Sequence, residues 1–324
     1  MAKAIMLERQ GGPEALEFTD VNVGEPGEGM LRLRHTAIGL NFIEVYQRNG
    51  LYPMELPSGL GQEAAGVVEA VGPGVSGFKP GDRVAYGNGP PGAYSEERLI
   101  PADKVVPIPN GIDDRSAASL MLKGMTAQYL LHRTYAVNPG DTVLVHAAAG
   151  GVGTLLTQWA KRLGATVIGT AGTDEKVAYA LEHGCDHAIQ YQRENFVDRA
   201  RELTGGEGVN VVYDGVGKAT FEGSLDCLRR LGMMVSFGNA SGAVESLKPL
   251  DLARRGSLFF TRPSLPHYIA TPEELLATAE SLFDAVLAGA VKVEIGQTYP
   301  LTEVTQAHRD LESRKTHGAT VLLP

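Results

Sequence analysis

The spacing of hydrophobic residues in the first hundred positions is typical of short β-strands. Apolar or alternating runs are separated there by segments rich in glycine and proline, which favour turns. These runs predict strands at residues 3–7, 30–38, 64–71 and 83–85. Residues 41–49 have helical character, and Gly50 marks their end. The N-terminal part of the chain is therefore predicted to be a compact β-rich domain.

The middle of the chain shows a second pattern, in which strand and helix segments alternate. Two helical pieces, 113–121 and 125–135, are joined around Lys123-Gly124 and precede the alternation. The predicted strands cover residues 142–146, 165–170, 187–191, 209–214, 233–238 and 257–261. The predicted helices cover residues 154–163, 174–183, 194–203, 218–231 and 249–254. Six strands joined by helical crossovers require a parallel sheet covered on both faces, so a doubly wound α/β domain is expected.

Beyond Arg262-Pro263 the pattern changes again, to a long helix at 272–288 and strands at 291–300 and 320–323. We expect these last elements to rejoin the first domain. A β-rich domain would then comprise residues 1–123 and 264–324, with a nucleotide-binding domain of residues 124–263 inserted into it. A chain of 324 residues is long for a single hydrophobic core, which also favours two domains.

A glycine-rich turn follows the first strand of the predicted parallel sheet. The strand leads through Ala147-Ala148-Ala149 into Gly150, Gly151, Val152 and Gly153, and a helix follows. Backbone N–H groups and the dipole at a helix N-terminus attract a phosphate, and missing side chains let it approach. The spacing departs from GxGxxG, and an ordinary strand-to-helix turn is the alternative. The doubly wound context favours dinucleotide binding.

Composition excludes several classes of protein and partner. The net charge is −9 and no run of lysine and arginine occurs, which argues against nucleic acid or an anionic membrane as partner. No apolar run approaches the roughly 20 residues that a membrane-spanning helix needs, and no signal peptide is evident. Cys185 and Cys227 are the only cysteines, which indicates a cytoplasmic protein without a disulfide framework.

Several motifs together resemble those of one family. AAAGGVG, NFIEVYQRNGLYP, GQEAAGVV, KPGDRVAY, YDGVG and SFGNASG occur in the same order as in the zeta-crystallin-like quinone oxidoreductases of the medium-chain dehydrogenase/reductase superfamily. The resemblance covers essentially the whole chain. It implies a Rossmann domain inserted in a GroES-like catalytic domain, NADPH as hydride donor, a quinone-type acceptor and a homodimer.

The zinc ligands of other members of that superfamily are not evident. By the resemblance, Asn41 and Gln62 stand where zinc-dependent members have cysteine and histidine. Neither amide is a usual strong zinc ligand. The four-cysteine structural lobe of those relatives is missing too. We therefore expect no metal.

The second predicted strand bears on the choice of nicotinamide cofactor. It ends in Thr170-Ala171-Gly172-Thr173, and Thr173 is predicted to cap the next helix, with Asp174 in its first turn. An NAD site expects an acidic residue at the strand end for the ribose hydroxyl. Lys176 and Tyr191 suit a 2′-phosphate instead, although Lys176 could be a solvated lysine. We favour NADPH.

The resemblance also suggests residues for the chemistry. It places Asn41 and Tyr46 near the nicotinamide, with Tyr46 as proton or hydrogen-bond donor and Asn41 as positioning residue. Tyr52 is a further polar group of this segment, and either tyrosine could merely line the cleft. Further residues expected at the cofactor are Thr126, Thr170, Gly172, Thr173, Val216, Phe237, Gly238 and Ser241. Arg314 is either a second phosphate partner or a surface charge.

Residues 258–260 (LFF) lie on the last, edge strand of the predicted sheet and would be an aggregation hazard if exposed. Pairing with the same strand of a second copy would remove that edge, which predicts a homodimer. Two other functions stay open. One is the zinc-free reduction of alkenals, enones or enoyl thioesters; the other is a non-enzymatic NADPH-binding protein.

Overall fold

The structure, a computed structural model, describes the whole chain from Met1 to Pro324. Its contacts divide the chain into two compact units. The first unit comprises Met1–Met125, Ile269–Leu287 and Val293–Pro324, and the second comprises Thr126–Tyr268 and Ala288–Lys292. The domain division at 123/124 and 263/264 stays a prediction. No helix combines the length and the apolar character needed to cross a bilayer.

Strands and helices are numbered along the chain. The strands are β1 (Ala2–Leu7), β2 (Leu16–Val21), β3 (Met30–Leu40), β4 (Ser58–Gly59), β5 (Glu63–Val71), β6 (Arg83–Tyr86), β7 (Glu97–Pro101), β8 (Val106–Pro107), β9 (Thr142–Val145), β10 (Thr166–Ala171), β11 (His187–Gln190), β12 (Val209–Asp214), β13 (Leu228–Ser236), β14 (Phe259–Thr261), β15 (Ile295–Pro300) and β16 (Ala319–Leu323). The helices are α1 (Phe42–Arg48), α2 (Asp114–Tyr129), α3 (Gly151–Arg162), α4 (Asp174–Glu182), α5 (Phe196–Leu203), α6 (Phe221–Cys227), α7 (Pro249–Arg254), α8 (Leu265–Tyr268), α9 (Pro272–Leu287) and α10 (Val304–Glu312).

The first unit is built on two sheets. One runs in the order β15-β16-β3-β5-β6-β8, with β7 paired to β3, and the other in the order β2-β1-β4. All neighbours are antiparallel except β15 and β16. Alternate residues of β3, such as Leu31 and Leu33, are fully buried in the core beside Val84 and Ile100. Period-two burial is what the alternating sequence predicts for a sheet with one covered face, and a β-rich first domain is confirmed.

The second unit contains six parallel strands in the order β11-β10-β9-β12-β13-β14. Counted from β9, this is the 3-2-1-4-5-6 order of the doubly wound dinucleotide-binding fold. All six residues of β12 are buried, as a strand covered on both faces requires. The predicted Rossmann-type α/β sheet is confirmed.

Two helix predictions are wrong. Residues 218–231 do not form one helix, because α6 ends at Cys227 and β13 begins at Leu228, which pairs with Val209 of β12. The pieces 113–121 and 125–135 form the continuous helix α2, followed by a π-helical turn at Leu130–Thr134. Gly124 does not interrupt α2. Its missing side chain makes room for Leu282, since a Cβ there would lie 2.6 Å from the leucine Cδ1.

Candidate active site

The glycine turn of the second unit admits no side chain at its tightest point. After β9 the backbone turns at Ala147, whose φ is 52°, and Gly150 then forms the N-cap of α3. A Cβ at Gly153 would lie 2.2 Å from the Ala147 carbonyl oxygen, so only glycine fits. The sequence therefore places the start of α3 directly against the end of β9.

The first turn of α3 is suited to an anion. It comprises Gly151, Val152 and Gly153, and it has neither a side-chain cap nor an acidic residue. The first N–H groups of a helix have no partner within the helix, and the dipole makes this end positive. The four glycine-turn residues of the prediction are thus together at one helix N-terminus, where a phosphate can accept hydrogen bonds from the N–H groups of Gly151, Val152 and Gly153; the N–H of Gly150 donates to the Ala147 oxygen at 2.9 Å.

A buried polar network lies under this turn. Asp214, at the end of β12, accepts the hydroxyls of Ser224 at 2.9 Å and Thr220 at 2.7 Å. Because Ser224 donates to the carboxylate, its oxygen accepts the Nε2–H of His146, 2.9 Å away. The Nδ1 atom of His146 then accepts the hydroxyl of Thr170 at 2.9 Å. The carboxyl ends of β9, β10 and β12 are joined by this chain of hydrogen bonds.

Burial keeps the imidazole of this network neutral. His146 is 2% exposed, and burial lowers its pKa below the ordinary value. Thr170, predicted as a cofactor residue, is 1% exposed and directs its hydroxyl to His146. This hydrogen bond joins the end of β10 to the residue that follows β9, and a role of Thr170 at the cofactor stays a prediction.

The N-terminus of α4 gathers four of the predicted residues. Thr173 is its N-cap and accepts the backbone N–H of Lys176 at 3.3 Å. A Cβ on Gly172 would lie 2.7 Å from the hydroxyl oxygen of Tyr191, so that hydroxyl packs over the glycine. Asp174 forms an exposed ion pair with Arg193 at 2.8 Å. This pair partly neutralises the acidic residue that could oppose a phosphate.

The ends of β12 and β13 carry two interlocked loops. The oxygen of Val216 accepts both the backbone N–H and the hydroxyl of Ser241, each at 2.8 Å. The backbone N–H of Phe237 donates to the backbone carbonyl oxygen of Asp214 at 2.8 Å. A Cβ on Gly238 would lie 2.5 Å from the carbonyl oxygen of Gly215. Val216, Phe237, Gly238 and Ser241 therefore lie together where β12 and β13 end in the second unit.

In the first unit, Asn41 is held by a buried polar cluster. Its backbone N–H donates to Glu44 at 2.7 Å, in a capping box that begins α1. Its side-chain Nδ2 donates to Glu63 at 2.9 Å, and Lys123 Nζ lies 2.8 Å from the same Glu63 oxygen. Burial raises the pKa of Glu44 to about 8, opposed by the Lys123 ammonium.

The remaining predicted residues lie elsewhere on the chain. Tyr46 is buried in α1, and its ring centroid is 5.1 Å from that of Tyr52 and 6.0 Å from that of Phe42. Thr126 is buried in α2 of the second unit. Arg314 follows α10 in the first unit, with φ of 60°.

The residues present do not fit zinc. Positions 41 and 62 hold amides, whereas zinc takes thiolate, imidazole or carboxylate ligands. The carboxylate of Glu63 already forms an ion pair with Lys123, and the positive charge of that ammonium group would repel a metal cation. No set of three His, Cys, Asp or Glu side chains is arranged to hold a metal ion.

Sequence reasoning missed several residues of these clusters. They are His146, Asp214 and Ser224 of the network, Glu63 and Lys123 beside Asn41, and Arg193 beside Asp174. Asp214 and Glu63 had a signal, since they lie in the quoted motifs YDGVG and GQEAAGVV. The others become partners only when distant segments meet.

Known protein families match segments of both units. The family described as "Alcohol dehydrogenase GroES-like domain" matches residues 27–110, and "Zinc-binding dehydrogenase" matches residues 151–274. The chain is 52% identical to a quinone oxidoreductase of Pseudomonas aeruginosa, with 100% of both chains covered. It is 50% identical to a 2-haloacrylate reductase of Burkholderia sp, covering 100% of this chain and 99% of that protein.

Solved structures give the same result. The crystal structure of Escherichia coli quinone oxidoreductase complexed with NADPH has a TM-score of 0.98 to this structure, at 48% identity, with 100% of both chains covered. The sequence identity of about one half over the full length, the shared fold and the motifs all indicate the same family. The chain belongs to the quinone oxidoreductase family of the medium-chain dehydrogenase/reductase superfamily.

Proposed function

We propose that this protein is a zinc-independent, NADPH-dependent quinone reductase. The observation that carries the proposal is the glycine turn at Gly150–Gly153 on the first strand of a 3-2-1-4-5-6 sheet. The printed names of the Pseudomonas aeruginosa relative and of the Escherichia coli structure with NADPH support it. Gly153 supports the proposal because a side chain there would meet the Ala147 oxygen, so glycine lets the start of α3, where a pyrophosphate would bind, pack directly against the turn after β9.

The N-terminus of α4 is proposed to select NADPH over NADH. Lys176 supplies a positive charge in the first turn of α4, and Tyr191 supplies a hydroxyl that lies over Gly172. Both groups suit a phosphate dianion and would add little for a ribose hydroxyl. Thr173 serves as helix cap and Thr170 as support beneath the turn. Arg314 is proposed as a second phosphate partner.

When bound, the cofactor supplies a hydride. The residues of this chain then have to position the acceptor and stabilise the negative charge that develops on its oxygen. Asn41, Tyr46 and Tyr52 are proposed for this task, with Tyr46 as the proton donor. Val216, Phe237, Gly238, Ser241 and Thr126 are proposed to line the nicotinamide end.

A second candidate activity is reduction of an activated carbon–carbon double bond. The 2-haloacrylate reductase at 50% identity favours it, and alkenals, enones and enoyl thioesters are related acceptors. The same hydride donor and the same oxygen stabilisation would serve both reactions.

We further propose a cytoplasmic homodimer. Cys185 and Cys227 are free and buried, as suits a reducing compartment. Strand β14 is at the edge of the six-stranded sheet, where Phe259 is 57% exposed. Pairing of two β14 strands across a two-fold axis would cover that edge.

Steady-state oxidation of NADPH tests the function. We expect turnover with 1,4-benzoquinone and 9,10-phenanthrenequinone that exceeds turnover with 2-alkenals and crotonyl thioester. Faster turnover of the alkenals or the thioester would favour the second activity. Tight NADPH binding without turnover of any acceptor would point to a non-enzymatic role.

A further inference from the structure

A carboxylate with no access to solvent lies directly behind Asn41. Glu63 is 0% exposed, and its two oxygens accept three hydrogen bonds. The donors are the backbone N–H of Leu122 at 2.7 Å, Asn41 Nδ2 at 2.9 Å and Lys123 Nζ at 2.8 Å. The carboxylate thereby joins the start of β5 to α2 and to the residue that caps α1.

The hydrogen bonds of Asn41 determine which way its side-chain amide faces. The Glu63 oxygen beside the Lys123 ammonium belongs to a carboxylate, which can accept hydrogen bonds but cannot donate one. The side-chain atom of Asn41 that faces Glu63 must therefore be the amide nitrogen. The amide oxygen then receives the backbone N–H of Glu44 in the capping box. Reversing the amide would lose both bonds, and one N–H of Asn41 is left for another acceptor.

We infer that Glu63, held by Lys123, is a positioning residue that aims the second side-chain N–H of Asn41 at the oxygen of the substrate. This inference rests on the proposed function, because it needs an acceptor whose oxygen gains negative charge during hydride transfer. A donor that is fixed before the reaction stabilises that charge without reorganisation. Neither Glu63 nor Lys123 touches the substrate in this scheme.

Charge balance explains why the lysine is part of the cluster. A buried carboxylate without a partner is strongly destabilising, and Lys123 is 5% exposed beside Glu63. Glu44 adds no second negative charge near neutral pH, because burial raises its pKa to about 8. The net charge of Glu63, Lys123 and Glu44 together is therefore close to zero, while Glu63 still accepts the hydrogen bond of Asn41.

Glu63→Gln is the substitution that tests the inference. Glutamine offers one neutral acceptor oxygen to the three donors, the Leu122 N–H, the Asn41 amide and the Lys123 ammonium, so Asn41 loses the charged acceptor that fixes its side chain. We expect kcat with 1,4-benzoquinone to fall roughly 10- to 100-fold, with the Kd for NADPH nearly unchanged. Asn41→Ala should show the same loss, and the double variant should lose no more than Asn41→Ala alone.

Two further variants guard against loss of folding. Glu63→Gln combined with Lys123→Met removes both buried charges and leaves no unpaired ion, and the same loss of kcat is expected. Glu312→Gln removes the charge from the ion pair between Glu312, whose side chain is 34% exposed, and the buried Arg48, 2.8 Å away in the same unit. It has no contact with Asn41 and is expected to keep the kcat of the wild type.

A spectroscopic measurement tests the geometry without turnover. In protein labelled with 15N at asparagine side chains, the Asn41 NH2 signals are identified by their loss in Asn41→Ala. The proton bonded to Glu63 is expected to resonate well downfield of its partner, and Glu63→Gln should reduce this difference, because a neutral acceptor replaces the carboxylate. Unchanged signals, additive kinetic losses, or a wild-type kcat in Glu63→Gln would each overturn the inference. Failure of wild-type protein to reduce any quinone would instead overturn the proposed function.

Discussion

His308 accepts a hydrogen bond from Arg48 in the interior of the first unit, with 2.9 Å between Nδ1 and Nη1. A guanidinium can only donate, so the proton of the neutral imidazole is on Nε2, which lies 3.2 Å from the Tyr94 hydroxyl. Burial, with the charge of Arg48 added, lowers the pKa of His308 to about 3. The folded protein therefore requires this histidine to be neutral.

This requirement predicts that stability falls in acid. The pKa of the unfolded histidine is about 6.5, so between that pH and about 3 the unfolded chain binds the extra proton. The contribution of the neutral His308 to the free energy of unfolding is complete above pH 6.5 and is lost as the pH falls from there towards about 3. His308→Gln should reduce the slope of unfolding free energy against pH by up to about 1.4 kcal/mol per pH unit.

Chemical denaturation followed by circular dichroism at pH 4.5 to 7.5 measures that slope. Part of the slope should remain in the variant, because burial lowers the pKa of His35 to about 4 in the same direction. Equal slopes in the wild type and His308→Gln would refute the prediction.

Gly153→Ala is predicted to weaken cofactor binding. The new Cβ would lie 2.2 Å from the Ala147 oxygen, so the start of α3 must move away from β9. We expect the Kd for NADPH to rise at least about tenfold, which corresponds to about 1.4 kcal/mol. Fluorescence titration measures it.

Gly27→Ala is the matched control for that variant. No atom lies within 4 Å of a Cβ at Gly27, so the same change of side chain should leave the Kd unaltered. An unaltered Kd in Gly153→Ala would contradict a role of this turn in phosphate binding.

Phe259→Lys is predicted to dissociate the proposed homodimer. The substitution puts a charge on the exposed edge strand β14, where a second copy would pair. Light scattering after size-exclusion chromatography should give the mass of a monomer. Leu181→Lys, on α4 near the opposite edge of the sheet, changes a side chain of similar exposure, 46% against 57%. If the Leu181 variant dissociates and the Phe259 variant does not, the dimer does not form through β14.

The sequence was a good guide wherever a local pattern decides the structure. The buried run of β12 and the Thr173 cap before α4 need only neighbouring residues, and both are found as predicted. The predicted helix at 218–231 failed because pairing with β12 overrides local preference. Leu231, the last residue of that predicted helix, takes a positive φ of 61° within β13.

The candidate site was predictable only in part for the same reason. The glycine turn and the Lys176 segment are continuous in sequence. The buried ion pair beside Asn41 is formed by Glu63 and Lys123, which lie 22 and 82 positions further along the chain and become neighbours only through the fold. Likewise, nothing in the residues around His146 indicates that Ser224 lies beside it.

Titration of the protein with NADPH and with NADH, followed by cofactor fluorescence, tests most directly whether the second unit holds a reduced nucleotide with a 2′-phosphate. The wild type is predicted to bind NADPH more tightly than NADH. In Lys176→Ala that preference is predicted to shrink, because the affinity for NADPH falls and the affinity for NADH does not. Equal affinities for the two nucleotides in the wild type, or an unaltered preference in the variant, would contradict the proposed phosphate site.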